Sequence, residues 1–143
     1  MRMKRAFFIV LFVLMFGAMW CEEKSIYTYT FMFSNNSGGA INILEDSSLN
    51  IYTVKVLESE QNLSGEMRIT FFTDKQEALK FAFECKKTVD SDKSIVKEID
   101  KKIKADSNIV SFDNYSTYQN GMIHEVYWMS KEMAQALTSK SGQ

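Results

Sequence analysis

The chain has no proline, only six glycines, one histidine and two cysteines in 143 residues. Each shortage removes a class of protein. Without proline, the longest flexible cluster is Ser34-Asn35-Asn36-Ser37-Gly38-Gly39, which is long enough for a turn and too short for an interdomain linker. Two cysteines cannot staple a disulfide-dense scaffold, and a single histidine cannot supply a histidine-rich metal site. A basic surplus is also missing: 17 Lys and Arg stand against 18 Asp and Glu. With an isoelectric point near 5.9, bulk charge gives no reason to bind nucleic acid. No apolar run reaches the roughly 20 residues of a spanning helix, which excludes a multi-span membrane protein. What remains, 45% hydrophobic and 24% charged, is the composition of one globular domain, not of a disordered or collagen-like chain.

The N-terminus carries the clearest message. Arg2, Lys4 and Arg5 form a short basic head, and Ala6 to Trp20 then runs without a charge. A basic head before an apolar stretch of about 7–15 residues is the pattern of a secretory signal. A helix through Phe7-Phe8-Ile9-Val10-Leu11-Phe12-Val13-Leu14 would be apolar all round, and a domain this small covers such a helix poorly. Residues 1–21 are therefore expected to be a signal peptide or an N-terminal membrane or lipid anchor, and residues 22–143 a single domain. Cys21 follows the apolar run at the place where bacterial lipoproteins carry a lipidated cysteine, although Trp20 is large for the position before it. Three outcomes stay open: lipidation at Cys21, cleavage nearby, or an uncleaved anchor. Losing the basic head leaves 14 basic and 18 acidic residues, a net charge of −4. Membrane contact is then expected only through the N-terminal segment or a lipid on Cys21.

The rest of the chain reads as strands, then helices, then strands. Tyr27, Tyr29, Phe31 and Phe33 alternate with Thr28, Thr30 and Met32. Runs at Ile41–Leu44, Asn50–Leu57 and Glu66–Phe71 follow across short polar turns, which predicts a four-strand meander with one wet face. The period then changes. Asp74 with Glu77 three residues on is a helix-start signal, and Ala78, Leu79, Phe81, Ala82, Phe83 and Cys85 give that helix a wide apolar face. A second helix over about Lys93–Lys104 carries Ile95, Val96, Ile99 and Ile103 on one stripe, with Glu98 and Lys102 spaced to pair. Asn120-Gly121 is a strong hairpin signal between two further strands, and Ser130 is placed to cap a last short helix. The order ββββααββα predicts an α+β fold: an antiparallel sheet, made of the meander and a C-terminal hairpin, packed against two or three helices.

Two segments rhyme. Phe71-Phe72-Thr73-Asp74-Lys75-Gln76-Glu77-Ala78 and Tyr127-Trp128-Met129-Ser130-Lys131-Glu132-Met133-Ala134 each run strand, cap, helix. This pattern, over about half the chain, resembles that of SPOR-type peptidoglycan-binding domains. The middle departs from it, because Lys93–Lys104 reads as a helix where that family has a strand. The resemblance implies a glycan as ligand class.

Candidate chemistry is sparse. There is no C-x-x-C, no H-x-x-x-H, no EF-hand ladder and no phosphate loop, so no metal and no cofactor is implied. The one chemical pair on offer is Cys85 as a thiol nucleophile with His124 as its base. Cys85 lies on the apolar side of its helix, away from the helix N-termini and cationic surroundings that reactive thiolates favour. The alternative reading of both residues is packing. Aromatic residues make up 13% of the chain. Most such stripes are core, but tyrosine combines an apolar ring with a polar tip and can form a ligand platform. The candidate ligand-binding residues are Tyr27 and Tyr29 on the first strand, and Tyr115, Tyr118, Tyr127 and Trp128 around the hairpin. The leading expectation is an exported, non-enzymatic domain of the cell envelope or exterior that binds a protein, glycan or small ligand. The alternatives are a small secreted Cys/His hydrolase and a peptidoglycan-binding module.

Overall fold

The structure, a computed structural model, describes residues 23–59, 64–118 and 121–141. The expected signal segment, Cys21 and Asn120 lie outside the described residues. Among the described residues, six strands and three helices follow in the expected order: β1 (Glu23–Met32), β2 (Gly38–Asp46), β3 (Ile51–Ser59), β4 (Gly65–Phe72), α1 (Lys75–Asp90), α2 (Ile95–Ala105), β5 (Ile109–Tyr118), β6 (Gly121–Ser130) and α3 (Lys131–Ser141). The fold is α+β, a six-stranded sheet in the order β1-β2-β3-β4-β6-β5. β1 to β4 form the antiparallel meander, and β5 and β6 form the C-terminal hairpin. The two parts join through one parallel pair, β4 with β6, from Gly65↔Ile123 to Ile69↔Tyr127. The two rhyming strands are thus neighbours running the same way, each leading into a helix.

One face of the sheet receives α1 and α2. Ile41, Ile43, Tyr52, Val54 and Val56 from the sheet meet Ala78, Ala82, Cys85 and Val89 of α1 and Ile95 and Ile99 of α2. Small residues at Ala78 and Ala82 let α1 lie close to the strands, which suits close-packed interiors. β1 enters the core through a bulge between Ser25 and Tyr27, with Ile26 as the extra residue. The bulge brings both Ile26 and Tyr27 against the core cluster, and Tyr29, Phe31 and Phe33 continue the stripe.

β4 differs from the simple expectation of a strand with a wet face. Its register places Arg68 opposite Val56 and Thr70 opposite Val54, so the polar residues turn toward the helices. The Arg68 side chain is 4% exposed, while Ile69 on the opposite face is 2% exposed. A central strand covered on both faces has no wet side. The cost of burying Arg68 is offset by charge: its Nε and Nη2 donate to the two oxygens of Asp100 on α2 at 2.8 and 2.9 Å.

The helix ends show which local signals operated. Ser94 Oγ accepts from Lys97 N, and Ser130 Oγ accepts from Met133 N at 3.0 Å, as cap residues do. Asp74 stands at the N-cap of α1 with an extended backbone, but its side chain makes no capping bond. Glu98 pairs with Lys101 rather than Lys102, whose ammonium lies over the rings of Phe81 and Trp128 at 5.6 Å each.

Candidate functional site

The register that buries Arg68 also assembles a polar seam at one end of the sheet. Glu58 of β3, Glu66 of β4, His124 of β6 and Tyr115 of β5 stand side by side on the helix-facing surface, because Glu58↔Glu66, Glu66↔His124 and Tyr115↔His124 are register partners. Side chains opposite one another share a face. His124 Nδ1 faces Glu66 Oε1 at 2.9 Å, and Nε2 faces Asp113 Oδ2 at 3.2 Å. Glu66 Oε1 also pairs with Arg68 Nη1 at 2.9 Å. Asp113, His124, Glu66, Arg68 and Asp100 therefore form a continuous polar chain.

Tyr115 stacks on His124, with ring centroids 4.5 Å apart and planes 11° from parallel. Its residue is 60% exposed, so the outer surface of this stack is open. Beside it lies a cleft of about 430 Å³ lined by Glu58, Glu66, Ser94, Val96, Lys97, Tyr115, Met122 and His124, with Ser37, Ser59, Ser64 and Gly65 completing the wall. Such a volume falls within the range of about 300–1,000 Å³ typical of small-molecule sites.

Glu58 does more than line the cleft. Its carboxylate accepts from Ser94 Oγ at 2.7 Å and from the backbone N–H groups of Ile95 and Val96 at 2.6 and 3.1 Å. A side chain from β3 thus caps α2 across 37 residues of sequence. The positive end of α2 is occupied by this internal carboxylate, so it is not a free anion site.

The sequence-nominated residues separate into different neighbourhoods. Tyr27 packs edge-on against Phe83 of α1 at 5.4 Å, and the Tyr29 hydroxyl donates to Asp90 Oδ1 at 2.6 Å. The Asp90 contact and partial burial push the Tyr29 hydroxyl above its ordinary titration range, and burial is the main cause for Tyr27. Trp128 is buried in the core beside Phe81, with no hydrogen-bond partner for Nε1 among the described residues. Tyr127 lies on the opposite sheet face, stacked between Phe112 and Phe71. Tyr118 ends β5 opposite Gly121, and its side chain is outside the described residues. Tyr115 is the member of the set that borders the cleft. Glu58, Glu66 and Lys97 join it there without having been nominated, because only the register and the α2 cap bring them together.

Cys85 and His124 line different cavities. Cys85 faces a separate cavity with Phe81, Thr88, Ile95 and Lys102, while both nitrogens of His124 engage carboxylates. Burial pushes the Cys85 thiol up to about 12, which keeps it protonated at neutral pH. Glu66 and Asp113 approach opposite edges of the imidazole instead of converging on one point. Among the described residues, no set of three or more His, Cys, Asp or Glu side chains converges as metal ligands.

The chain matches no family model, no curated protein and no solved structure.

Proposed function

We propose that this protein is an exported, non-enzymatic binding domain of the cell envelope or exterior, and that the cleft beside Tyr115 and His124 takes a glycan. The observation that carries the reading is the open Tyr115–His124 stack at the mouth of the cleft. A sugar presents C–H faces that lie against an aromatic ring and hydroxyls that donate to carboxylates and exchange bonds with serines. The lining supplies both, with Val96, Met122 and Tyr115 beside Glu58, Glu66 and Ser94. The basic-apolar N-terminus supports export, and the strand–cap–helix likeness to SPOR-type domains supports the ligand class.

Calorimetric titration with soluble peptidoglycan disaccharide-peptides and with N-acetylglucosamine oligomers tests the reading. Binding is expected for at least one of these, reduced about tenfold or more in Tyr115→Ala, a loss of roughly 1.4 kcal/mol or more. Unchanged binding in that variant, or none by the parent protein, would contradict the assignment.

A further inference from the structure

Among the described residues β5 is an open edge: it pairs there with β6 alone, without interruption from Ile109↔Ser130 to Tyr118↔Gly121, and ends the sheet order. Val110 to Tyr115 are all exposed. Edge strands are usually protected by charged side chains, lysine above all, by proline, a bulge or a short length. β5 is ten residues long, with no proline and no lysine, and its register has no bulge. The opposite edge, β1, carries Lys24 and a bulge and is tied to α1 through Tyr29 and Asp90. The two edges are not equivalent: β5 has Asp113 as its one charge and is the less protected of the two.

An aromatic ladder also runs out to this edge. Phe71 of β4, Tyr127 of β6 and Phe112 of β5 stack across the face opposite α1 and α2, with centroid spacings of 6.5 and 4.9 Å and planes 13° and 9° apart. The ladder stops at Phe112, which is 58% exposed.

We infer that β5 pairs antiparallel with β5 of a second copy, on a two-fold axis through Phe112, giving a continuous twelve-stranded sheet. Symmetry and the alternation of faces allow only registers in which opposed residues have numbers of equal parity. Centring on Asp113 would set two like charges face to face. Centring on Phe112 sets Phe112 against itself, Asp113 against Ser111 of the partner subunit, and Val110 against Asn114 of the partner subunit. No charge then meets its like, and the ladder runs on from Phe71 through both subunits. This pairing does not depend on the ligand proposed for the cleft.

The test uses the full-length chain with Cys21→Ser, leaving Cys85 buried. Sedimentation should show a dimer whose population rises with concentration, and Phe112→Lys should shift it to monomer. Phe112→Cys should crosslink to itself under mild oxidation, since opposed strand positions lie about 4.5–5.5 Å apart, within disulfide reach. Thr117→Cys, five residues off the axis, should not. If Phe112→Cys fails to fold by circular dichroism, the double variant Val110→Cys/Asn114→Cys reads the same register through two crosslinks. A monomer at every concentration overturns the proposal. So does a dimer that survives Phe112→Lys or that crosslinks equally at Thr117→Cys. Binding of an unrelated extended peptide along β5 by a monomeric protein would also overturn it.

Discussion

Arg68 illustrates how one residue decides the character of the domain. Its guanidinium lies in the layer between sheet and α2, held by Asp100 through two bonds and by Glu66 through one. Asp100 and Glu66 are about half exposed, so water reaches one side of each pair and softens any loss. Asp100→Ala removes two charge-assisted bonds from a buried cation and should cost about 2–3 kcal/mol. Glu66→Gln keeps a carbonyl oxygen for Arg68 and should cost less, about 1 kcal/mol. Denaturant unfolding of both variants checks the order, and a larger loss for Glu66→Gln would mean that the seam is held from the β6 side instead. Cys85 makes the complementary point. As a buried thiol pushed up to about 12, it should label slowly with a thiol reagent at neutral pH in the folded state. Cys85→Ala should cost about 1 kcal/mol from lost packing, and Cys85→Ser more, since the hydroxyl needs a partner there. Rapid labelling with unchanged stability would instead mark a nucleophile.

Among the elements, β1 and α1 are stitched together by carboxylates near the end of the helix. Asp90 receives Lys86 Nζ at 2.8 Å and the Tyr29 hydroxyl at 2.6 Å, and Asp92 receives the backbone N–H and hydroxyl of Ser34. Asp92 also has a positive φ of 62°, and its N–H and that of Lys93 return to Val89 and Thr88, closing α1 with a Schellman motif. The bonds from Lys86 and Tyr29 hold the Asp90 carboxyl below its ordinary 3.8, and those from Ser34 do the same for Asp92. A carboxyl depressed in the folded state stabilises it fully above the ordinary value, and that contribution is lost as pH falls through the lowered one. The melting temperature should therefore decline on acidification below 3.8, with β1 losing hydrogen-exchange protection first. Asp92→Asn keeps a residue that tolerates positive φ but does not titrate, so its acid slope should be shallower. Equal slopes would show that this tether contributes nothing.

Most of the element order was legible in the sequence because its signals are local. Alternation in Tyr27–Phe33, the change of period at Asp74 and the Ser130 cap each act within a few residues. What was not legible is non-local. Met67, Ile69 and Phe71 alternate with Arg68 and Thr70 in a way that suggests a wet face, and only pairing with β3 reveals that Arg68 points to α2. Ser94 lacks a glutamate three residues on, having Lys97 there, and the missing carboxylate arrives from Glu58 on β3. The parallel join of β4 to β6 follows from where the chain returns after two helices, which no short window contains. Of the nominated tyrosines, Tyr115 borders the cleft because β5 stands beside His124, whereas Tyr27 and Tyr29 turn to α1.

At the scale of the whole molecule, these features combine into a six-stranded sheet whose polar seam opens into a cleft. Among the described residues, no helix is long and apolar enough to cross a membrane. Paired strands carry Glu58, Glu66, Tyr115 and His124, and side chains held on such strands bind at a low ordering cost. The central claim is that this cleft binds a glycan and leaves it unchanged. Its most direct test is to follow amide chemical shifts while titrating isotope-labelled protein with a soluble peptidoglycan disaccharide-peptide, and to weigh the ligand by mass spectrometry afterwards. The account predicts shifts centred on Glu66, Ser94 to Lys97, Tyr115 and His124, with the ligand recovered intact. Shifts centred on Cys85 and its neighbours, no shifts at all, or a cleaved ligand would contradict it.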